Sequence, residues 1–501
     1  MKIPKILIIL LLALLLRLIF FTGFSGSDDY LLVKAADDLN KGRLDFHSTN
    51  HIPMRLALLY PAAFLIKIFG VNDFAISFFP LLCSLGIIFF TYLIGRKLFN
   101  EPIGLLAAAL LAIFPLEILH SSILVAELIG GFFFLSCFYL LLFDKKLFSF
   151  FGGIFIGIAY LAKEIYILTL PLLLLYLWYR KKKIVSLHFL FILGFLIIFL
   201  IEIFYFFSVT GNLFFRQEAV QSFSALFSPD KESIVKEVFL KYLSLTLNPI
   251  NIQVGVFFYL FYFAIIVVIL KKMKNYYLLL IFTILFLLYL NFGSTQLNQY
   301  SPLPRVLRYF MIFSPFVSLI SAGVLVSVKK RYSFILPLTL SILFLSAIFS
   351  LYFASGNMYE SASVQRMNSI KDVLPASGII YTDQNNIFHL RYLQEFSEQP
   401  KIISFANLSS DFSKLHDTYV VVDREMLQRK LSFGETTREN FLNFIEEKGA
   451  LVKEIQQYQK QGCSFLTKFP LFQYSFFQQK LQIGCKKTDI AVYHIQFSSD
   501  G

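Results

Sequence analysis

Apolar runs long enough to cross a lipid bilayer recur along this sequence, from its N-terminus to about Phe353. A membrane-spanning helix needs roughly 20 mainly apolar residues. Inside lipid, the backbone must satisfy its own hydrogen bonds, which restricts spanning structures to helices and closed barrels. The chain is 57% hydrophobic, whereas soluble domains are about 45–50% apolar. The sequence therefore predicts a polytopic α-helical membrane protein.

The positive charge of the chain is best explained by membrane topology. A net charge of +13 would suggest nucleic-acid binding in a soluble protein. Here the basic residues gather in short loops between apolar runs, and such loops face the cytoplasm. We therefore expect no nucleic-acid partner. The clusters are Lys2 with Lys5, Arg96-Lys97, Lys145-Lys146, Arg180–Lys183, Lys271–Lys274 and Lys329–Arg331.

The spacing of these clusters predicts the number of spans. The chain must cross the membrane an even number of times between two cytoplasmic clusters, which gives about eleven spans. This rule splits Leu98–Phe143 into two spans that meet near His120–Glu127, and it places a tight outer turn at Lys163-Glu164. The first run is predicted to be a retained span, because no small-residue cleavage site follows it. We expect a multi-pass protein of the inner or plasma membrane, with a cytoplasmic N-terminus and an external C-terminus.

The composition divides the chain into two regions. Residues 1–354 form the predicted transmembrane region, and residues 355–501 have the composition of a soluble domain. Within the tail, apolar β-rich runs at 378–381 and 418–422 alternate with helical stretches such as 439–448, which predicts a small external α/β domain. The predicted external parts of the membrane region are a first loop at about 25–72, an acidic loop at about 118–127 and a long loop at about 211–251.

Two amphipathic helices are expected in the first external loop, lying along the membrane surface. The first follows Tyr30 and ends near Gly42, and the second runs from Arg55 to Phe69 and ends at Gly70. Glycine just beyond the last periodic residue is a common helix stop.

Carboxylates at the outer membrane edge are the main candidates for catalysis. Asp28 and Asp29 follow the first span, and Glu127 opens another span at the same predicted face. Acidic residues at the membrane edge more often have a function than none. A carboxylate that acts as a general base must lie near the acceptor hydroxyl. The alternative for Asp29 and Glu127 is helix capping. Asp29 could cap a helix that begins at Tyr30. Asp28 is preferred as the base, and Glu127 is preferred over the more deeply placed Glu117.

Several cations are predicted on the outer face, against the positive-inside bias. Lys163 lies in the predicted outer turn, and Arg305 and Arg308 lie at the outer start of a later span. Arg55 and, with less support, His51 belong to the first external loop. A guanidinium can bind a phosphate through two parallel hydrogen bonds. The alternative for the lysine is a simple surface pair with the glutamate that follows it.

The chemistry of these residues points to a substrate carried by the membrane. No GxxxxGK[ST] loop occurs in the sequence, so nucleotide hydrolysis is not expected. Acids and phosphate-type cations together suit a lipid-linked phosphate. Cys83 and Cys137 fall in predicted spans, whereas Cys463 and Cys485 fall in the external tail, where an oxidising compartment would allow them to pair.

Four features in order along the chain resemble the GT-C glycosyltransferases, in the branch of the protein O-mannosyltransferases and lipid A aminoarabinose transferases. The likeness extends to about residue 330. Glutamate at 164 stands where the family's Thr-Lys-Gly turn has glycine. The features are the acid pair with the first loop that includes His51-Ile52-Pro53 and Arg55, the stretch Ser122–Glu127, the turn Ala162-Lys163, and the pair Arg308-Tyr309.

The resemblance implies an inverting hexosyl- or pentosyltransferase. Its donor would be a polyprenyl-phosphate sugar, and its acceptor a hydroxyl of a lipid, glycan or protein. Asp28 matches the catalytic base and Asp29 its neighbouring acid, while Glu127 would orient the acceptor or a metal. Lys163 and Arg308 would neutralise the donor phosphate. A divalent cation, Mg²⁺ or Mn²⁺, could be held by Asp29 and Glu127.

Three other functions remain open at the level of sequence. A surface-polysaccharide polymerase or ligase would use a lipid diphosphate and an arginine-rich external loop. A flippase or transporter would favour charges at mid-membrane, for which Arg17 and Glu202 are the candidates. A non-catalytic assembly partner would use the tail, where Asp383 and Asp423 end predicted strands, although such acids usually form turns.

Overall fold

Two compact units make up the computed structural model of the chain. One comprises Met1–Gly23 and Leu31–Ala354, and the other Phe24–Tyr30 and Ser355–Gly501. The structure describes residues 4–46, 51–181, 186–226, 246, 254, 256–294, 303, 306–329, 333–357, 370–382, 384–405, 415, 417–423, 444–445, 447, 449–455 and 490–495.

Helices dominate the described residues of the first unit, and two of them extend into residues of the second, at 28–30 and at 355–357. They are numbered here in chain order, α1 to α15. Their bounds are α1 Lys5–Ile19, α2 Asp28–Asn40, α3 Leu56–Phe69, α4 Asp73–Leu98, α5 Glu101–Ala112, α6 Pro115–Leu119, α7 Ala126–Leu141, α8 Lys146–Ala162, α9 Thr169–Lys181, α10 Ser186–Thr210, α11 Phe215–Leu226, α12 Phe257–Leu270, α13 Tyr277–Phe292, α14 Ser314–Lys329 and α15 Ile335–Asn357.

The helices confirm the predicted class of helical membrane protein. Among the described residues, three helical segments are long and apolar enough to cross a bilayer: Asp73–Leu98, Ser186–Thr210 and Lys274–Phe292. Eight shorter apolar helices of 10–17 residues accompany them. The total of about eleven spans stays a prediction.

Helix boundaries in the first unit follow the predicted breaks. Helix α5 ends at Ala112 and α7 begins at Ala126, which leaves the predicted junction near 120–127 between them. Helix α8 ends at Ala162, and a 3₁₀ helix, Glu164–Leu168, follows at once. Lys163 therefore lies between two helices, as the charge pattern predicts.

Glycine contacts bring α8 and α10 close together. A Cβ atom on Gly153 would lie 2.0 Å from the Phe191 carbonyl oxygen, and one on Gly194 would lie 2.2 Å from that of Phe150. Small residues let helix backbones approach closely in membrane proteins. This packing holds α10 beside α8, which ends one residue before Lys163.

An aromatic cluster packs α7 against α13 and α14. Phe134 of α7 lies 5.4 Å from Phe282 and 5.9 Å from Phe316, measured between ring centroids. Phe282 and Phe316 are themselves 5.1 Å apart in a T-shaped arrangement. Aromatic pairs prefer such edge and offset geometries. The cluster fixes α7, whose first turn carries Glu127.

The helices of the first external loop match their predicted ends more closely than their predicted starts. Helix α2 begins at Asp28 instead of Tyr30 and ends at Asn40. Gly42 and Gly70 adopt φ of +66° and +75°, the left-handed conformation that glycine accepts without strain. Of the long loop at 211–251, the structure describes α11 and little beyond it.

The described part of the tail confirms a mixed α/β arrangement. Its five strands are β1 Ile379–Thr382, β2 Lys401–Ser404, β3 Thr418–Asp423, β4 Gly449–Ile455 and β5 Ile490–Ile495, in the order β2-β1-β3-β5-β4. The pairs β1–β2 and β1–β3 are parallel, while β3–β5 and β4–β5 are antiparallel. Helix α16, Gln384–Leu393, connects β1 to β2. Most of the helix predicted at 439–448 lies outside the described residues.

Candidate active site

Three predicted site residues meet at one buried carboxylate in the first unit. Glu127, in the first turn of α7, is 1% exposed. Its Oε1 atom accepts hydrogen bonds from Lys163 Nζ at 2.5 Å and from Arg308 Nε at 3.1 Å. Lys163 follows α8, and Arg308 lies in a 3₁₀ helix, Leu307–Ile312. The fold thus joins residues that are 36 and 181 positions apart in the chain.

Tyr166 fixes the backbone that carries Glu127. Its hydroxyl donates a hydrogen bond to the Glu127 carbonyl oxygen at 2.8 Å. A Cβ atom on Gly130 would lie 2.1 Å from the Tyr166 ring, so glycine is needed for the ring to pack on α7. Sequence reasoning missed Tyr166. The sequence feature that could have indicated a ring packed here is the Gly130-Gly131 pair, at the start of an otherwise bulky apolar run.

Further predicted residues surround the Lys163 ammonium group. Lys163 Nζ lies 4.1 Å from the centre of the Tyr309 ring, a favourable cation–π contact. Arg55 is buried, and its Nη2 atom lies 3.1 Å from His51 Nε2. Arg55 also interacts electrostatically with Glu127 and Lys163. The Glu127 cluster, defined here as Glu127, Lys163, Arg308 and Arg55, therefore holds three cations and one carboxylate.

A second buried charge cluster adjoins the turn at Lys163. Arg216 of α11 donates hydrogen bonds to Glu202 of α10, to Glu164 at 3.3 Å and to the Tyr160 carbonyl oxygen at 3.0 Å. Its guanidinium also lies 4.6 Å from the centre of the Tyr160 ring. Glu164, the residue that departs from the family pattern, thus pairs with Arg216, while Lys163 pairs with Glu127. The surface pair considered for Lys163 and Glu164 is replaced by a buried pair at Lys163 and a partly buried pair at Glu164.

Arg216→Met is expected to destabilise the protein by about 3–5 kcal/mol, because breaking a buried ion pair leaves a charge without compensation. Thermal unfolding of detergent-solubilised protein measures this as a lower transition temperature. Adding Glu202→Gln to the same chain should recover part of the loss. Arg96→Met, at an exposed position in the last turn of α4, is the matched control and should have little effect. An Arg216→Met protein as stable as the wild type would contradict the prediction.

Neighbouring polar residues have structural partners. His120 is buried, its Nδ1 atom lies 3.0 Å from the Leu116 carbonyl oxygen, and burial lowers its pKa to about 4. It is therefore neutral near pH 7, in agreement with a plain structural role. Glu117 is buried too, and it accepts a hydrogen bond from the Ser314 hydroxyl at 2.5 Å. Among the described ion pairs, Glu127 contacts two cations and Glu117 contacts none. This difference is consistent with the choice of Glu127 over Glu117.

The acid pair belongs to the second unit, in the segment Phe24–Tyr30. Asp29 is 1% exposed, and its carboxylate accepts hydrogen bonds from Ser25 N at 2.6 Å, Ser25 Oγ at 2.8 Å and Ser27 N at 2.8 Å. Burial raises the pKa of Asp29, and these hydrogen bonds oppose the rise. The prediction that Asp29 caps a helix beginning at Tyr30 is wrong, because the helix begins at Asp28 and the carboxylate binds the preceding turn. Asp28 is half-buried.

Asp29 and Glu127, the two carboxylates proposed as metal ligands, each have other partners in the structure. A Mg²⁺ or Mn²⁺ site needs several oxygen ligands with lone pairs available to the ion. Glu127 already faces two cations, and Asp29 already accepts three hydrogen bonds. Within the described residues, no group of three His, Cys, Asp or Glu side chains could hold a metal ion.

Some predicted residues lie outside the described part of the chain. These are Arg305, Asp383, Cys463 and Cys485. Cys83 and Cys137 are buried free cysteines within α4 and α7, as expected for apolar residues of spans.

One segment of the chain is similar to a known protein family. Residues 53–205 match the model of the family described as dolichyl-phosphate-mannose-protein mannosyltransferase. This segment includes Arg55, Glu127 and Lys163. No curated protein matches the sequence.

Solved structures share the fold at low sequence identity. One is ArnT from Cupriavidus metallidurans bound to undecaprenyl phosphate, which is 11% identical with a TM-score of 0.58, over 89% of this chain and 96% of that chain. Another is the oligosaccharyltransferase AglB from Archaeoglobus fulgidus in complex with an inhibitory peptide and a dolichol-phosphate. It is 13% identical with a TM-score of 0.51, over 91% of this chain and 73% of that chain. These structures confirm the fold that the resemblance predicts, and the family model supports the resemblance over residues 53–205.

Proposed function

We propose that this chain is a GT-C glycosyltransferase that moves a sugar from a polyprenyl-phosphate donor to a hydroxyl of a lipid, glycan or protein. The transfer takes place with inversion on the extracytoplasmic face of the cell membrane. The observation that carries the proposal is the Glu127 cluster, in which Lys163 and Arg308 share one buried carboxylate. Two structures of the same fold bind polyprenyl phosphates, undecaprenyl phosphate in one and dolichol-phosphate in the other.

The proposed reaction is a single displacement at the anomeric carbon. The acceptor oxygen forms a bond to that carbon, and its proton passes to the carboxylate of Asp28. The bond between the anomeric carbon and the phosphate oxygen breaks, and its electron pair leaves with the polyprenyl phosphate. Attack from the face opposite the leaving group inverts the configuration. A positioned carboxylate base contributes about 10²–10⁴-fold to such a step.

The Glu127 cluster suits the leaving group of this reaction. As the bond to phosphate breaks, negative charge builds up on the phosphate oxygens, and fixed cations in a water-poor site stabilise it. Three cations against one carboxylate leave the cluster with an excess of positive charge. Glu164 and Glu202 share one cation, Arg216, so the two neighbouring clusters together hold four cations against three carboxylates. Glu127 holds the two cations in place until a phosphate arrives.

The mid-membrane charges give little support to a transporter. Arg17 is fully buried and donates hydrogen bonds to Ser84 Oγ at 2.7 Å and to the carbonyl oxygens of Ala13 and Ala112. Glu202 pairs with Arg216. Both residues that suggested a transport path are thus bound within the helix bundle, which favours an enzyme.

The proposal is tested with purified protein in liposomes that contain a radiolabelled polyprenyl-phosphate sugar and a membrane extract as acceptor source. We expect labelled product and free polyprenyl phosphate to form in equal amounts. A nucleotide sugar should not replace the donor. If the protein accepted only a polyprenyl-diphosphate sugar as its donor, it would be a polymerase or ligase instead. Movement of the intact labelled lipid between leaflets without bond cleavage would indicate a flippase.

A further inference from the structure

The segment that carries the acid pair folds with the C-terminal domain. Phe24–Tyr30 forms one compact unit with Ser355–Gly501, although more than 300 residues separate them. Phe24 is fully buried. Its ring stacks on Tyr392 of α16, with centroids 3.9 Å apart and planes 6° apart, and it meets His389 edge-on at 5.7 Å.

A second aromatic contact holds the other end of the same segment. Tyr30 is 3% exposed. Its ring lies 4.3 Å from Phe388 in a stacked arrangement and 5.7 Å from Phe396. Aromatic pairs of this kind stabilise packing beyond the effect of their buried area. The segment is therefore anchored on both sides of Asp28.

Gly26 lets the segment pass against α16 at close range. It adopts φ of +79°, and a Cβ atom there would lie 2.6 Å from the His389 ring. Within the turn, Asp29 binds Ser25 and Ser27. Backbone conformation, ring stacking and hydrogen bonds together restrain the segment that carries Asp28.

We propose that α16 of the C-terminal domain is a positioning element for the Asp28 base, acting through Tyr392 and His389. The inference rests on the proposed function, in which Asp28 removes the acceptor proton. A base must lie within hydrogen-bond distance of that proton, and a misplacement of about 1 Å can reduce a rate about 10²-fold. The tail thus takes part in the reaction by holding the carboxylate-bearing turn, without itself contacting the reacting atoms.

The test compares Tyr392→Ala, Phe24→Ala and the double variant in the liposome assay. Each single variant is expected to lower kcat about 10- to 100-fold, while KM for the donor changes by less than about threefold. The double variant should be hardly worse than either single one, because both remove the same stack. Tyr392→Phe, which keeps the ring, should restore most of kcat. Tyr419→Ala removes a different stacked ring of the same domain, 4.4 Å from His494, and controls for general destabilisation.

Hydrogen–deuterium exchange of the peptide that spans residues 24–30 provides a readout independent of activity. Exchange at Ser25 and Ser27 should become faster in Tyr392→Ala and Phe24→Ala, and should be unchanged in Tyr419→Ala. Normal kcat, additive effects in the double variant, or unchanged exchange would overturn the inference. A wild-type protein without transferase activity, or an Asp28 variant with full activity, would instead overturn the proposed function, and exchange would still decide whether α16 holds the turn.

Discussion

Asp28→Asn is expected to lower the rate of sugar transfer by about 10²–10⁴-fold, the contribution that a positioned general base makes. The substitution keeps the size of the side chain and removes its basicity. At this half-buried position, the start of α2, a side chain of the same size should leave the fold and the binding of the donor nearly unchanged. The rate is measured in the liposome assay at saturating donor, and folding by thermal unfolding.

Asp73→Asn is the matched control for this experiment. Asp73 is also a half-buried aspartate in the first turn of a helix, α4. It therefore reports what the loss of one helix N-terminal charge does to activity, which should be little. Substantial transfer by Asp28→Asn would remove Asp28 from the mechanism. Equal losses in the two variants would show a general electrostatic effect in place of catalysis.

Asp29 should behave differently from its neighbour. Its carboxylate accepts three hydrogen bonds from Ser25 and Ser27. The NH₂ group of an asparagine cannot accept a hydrogen bond, so at least one of these serine donors would lose its acceptor. Hydrogen bonds to charged groups contribute about 1.5–3 kcal/mol each. Asp29→Asn is therefore expected to lower the thermal stability as well as the rate, whereas Asp28→Asn lowers the rate alone.

The parts of the fold that the sequence predicted depend on local features. The break at Lys163 follows from charge parity between basic loops, and the helix ends near Gly42 and Gly70 follow from residues that tolerate positive φ. The strands at 379–382 and 418–423 are short runs rich in β-branched residues. Strands β4 and β5 were not predicted, since their pairing joins segments far apart in the chain. The predicted start of α2 is wrong because Asp29 accepts hydrogen bonds from residues that precede it, Ser25 and Ser27, and does not cap the helix that follows.

The site was predicted in its residue types but not in its connections. The sequence points to Glu127, Lys163 and Arg308 separately, each in its own loop on the predicted outer face. Nothing in the local sequence shows that one oxygen of Glu127 receives both cations, because that depends on how α7, α8 and the 307–312 helix pack. Arg216 was missed for the same reason. Its partner Glu202 looked like an isolated mid-membrane charge, and only the fold brings α11 to it.

Lys163→Met and Glu127→Gln are expected to change phosphate binding in opposite directions. Lys163→Met removes one of the cations that would bind the donor phosphate, so affinity for polyprenyl phosphate should fall about 10- to 100-fold, the value of one charge-assisted contact of about 1.5–3 kcal/mol. Glu127→Gln removes the carboxylate that competes with phosphate for Lys163 and Arg308. Its affinity for polyprenyl phosphate should therefore rise, although transfer is reduced because the cations lose their fixed position.

The sign of the Glu127→Gln effect separates a phosphate site from a structural ion pair. If Lys163 and Arg308 serve only to neutralise a buried glutamate, both variants should destabilise the protein and neither should bind phosphate more tightly. Lys97→Met is the matched control for the lysine, since Lys97 also lies over an aromatic ring, 4.6 Å from the centre of Phe143, in the last turn of α4. Binding is measured by titrating fluorescent polyprenyl phosphate into detergent-solubilised protein. Weaker or unchanged binding by Glu127→Gln, or unchanged binding by Lys163→Met, would contradict the assignment, because a cation that binds phosphate must respond to the loss of its competing anion.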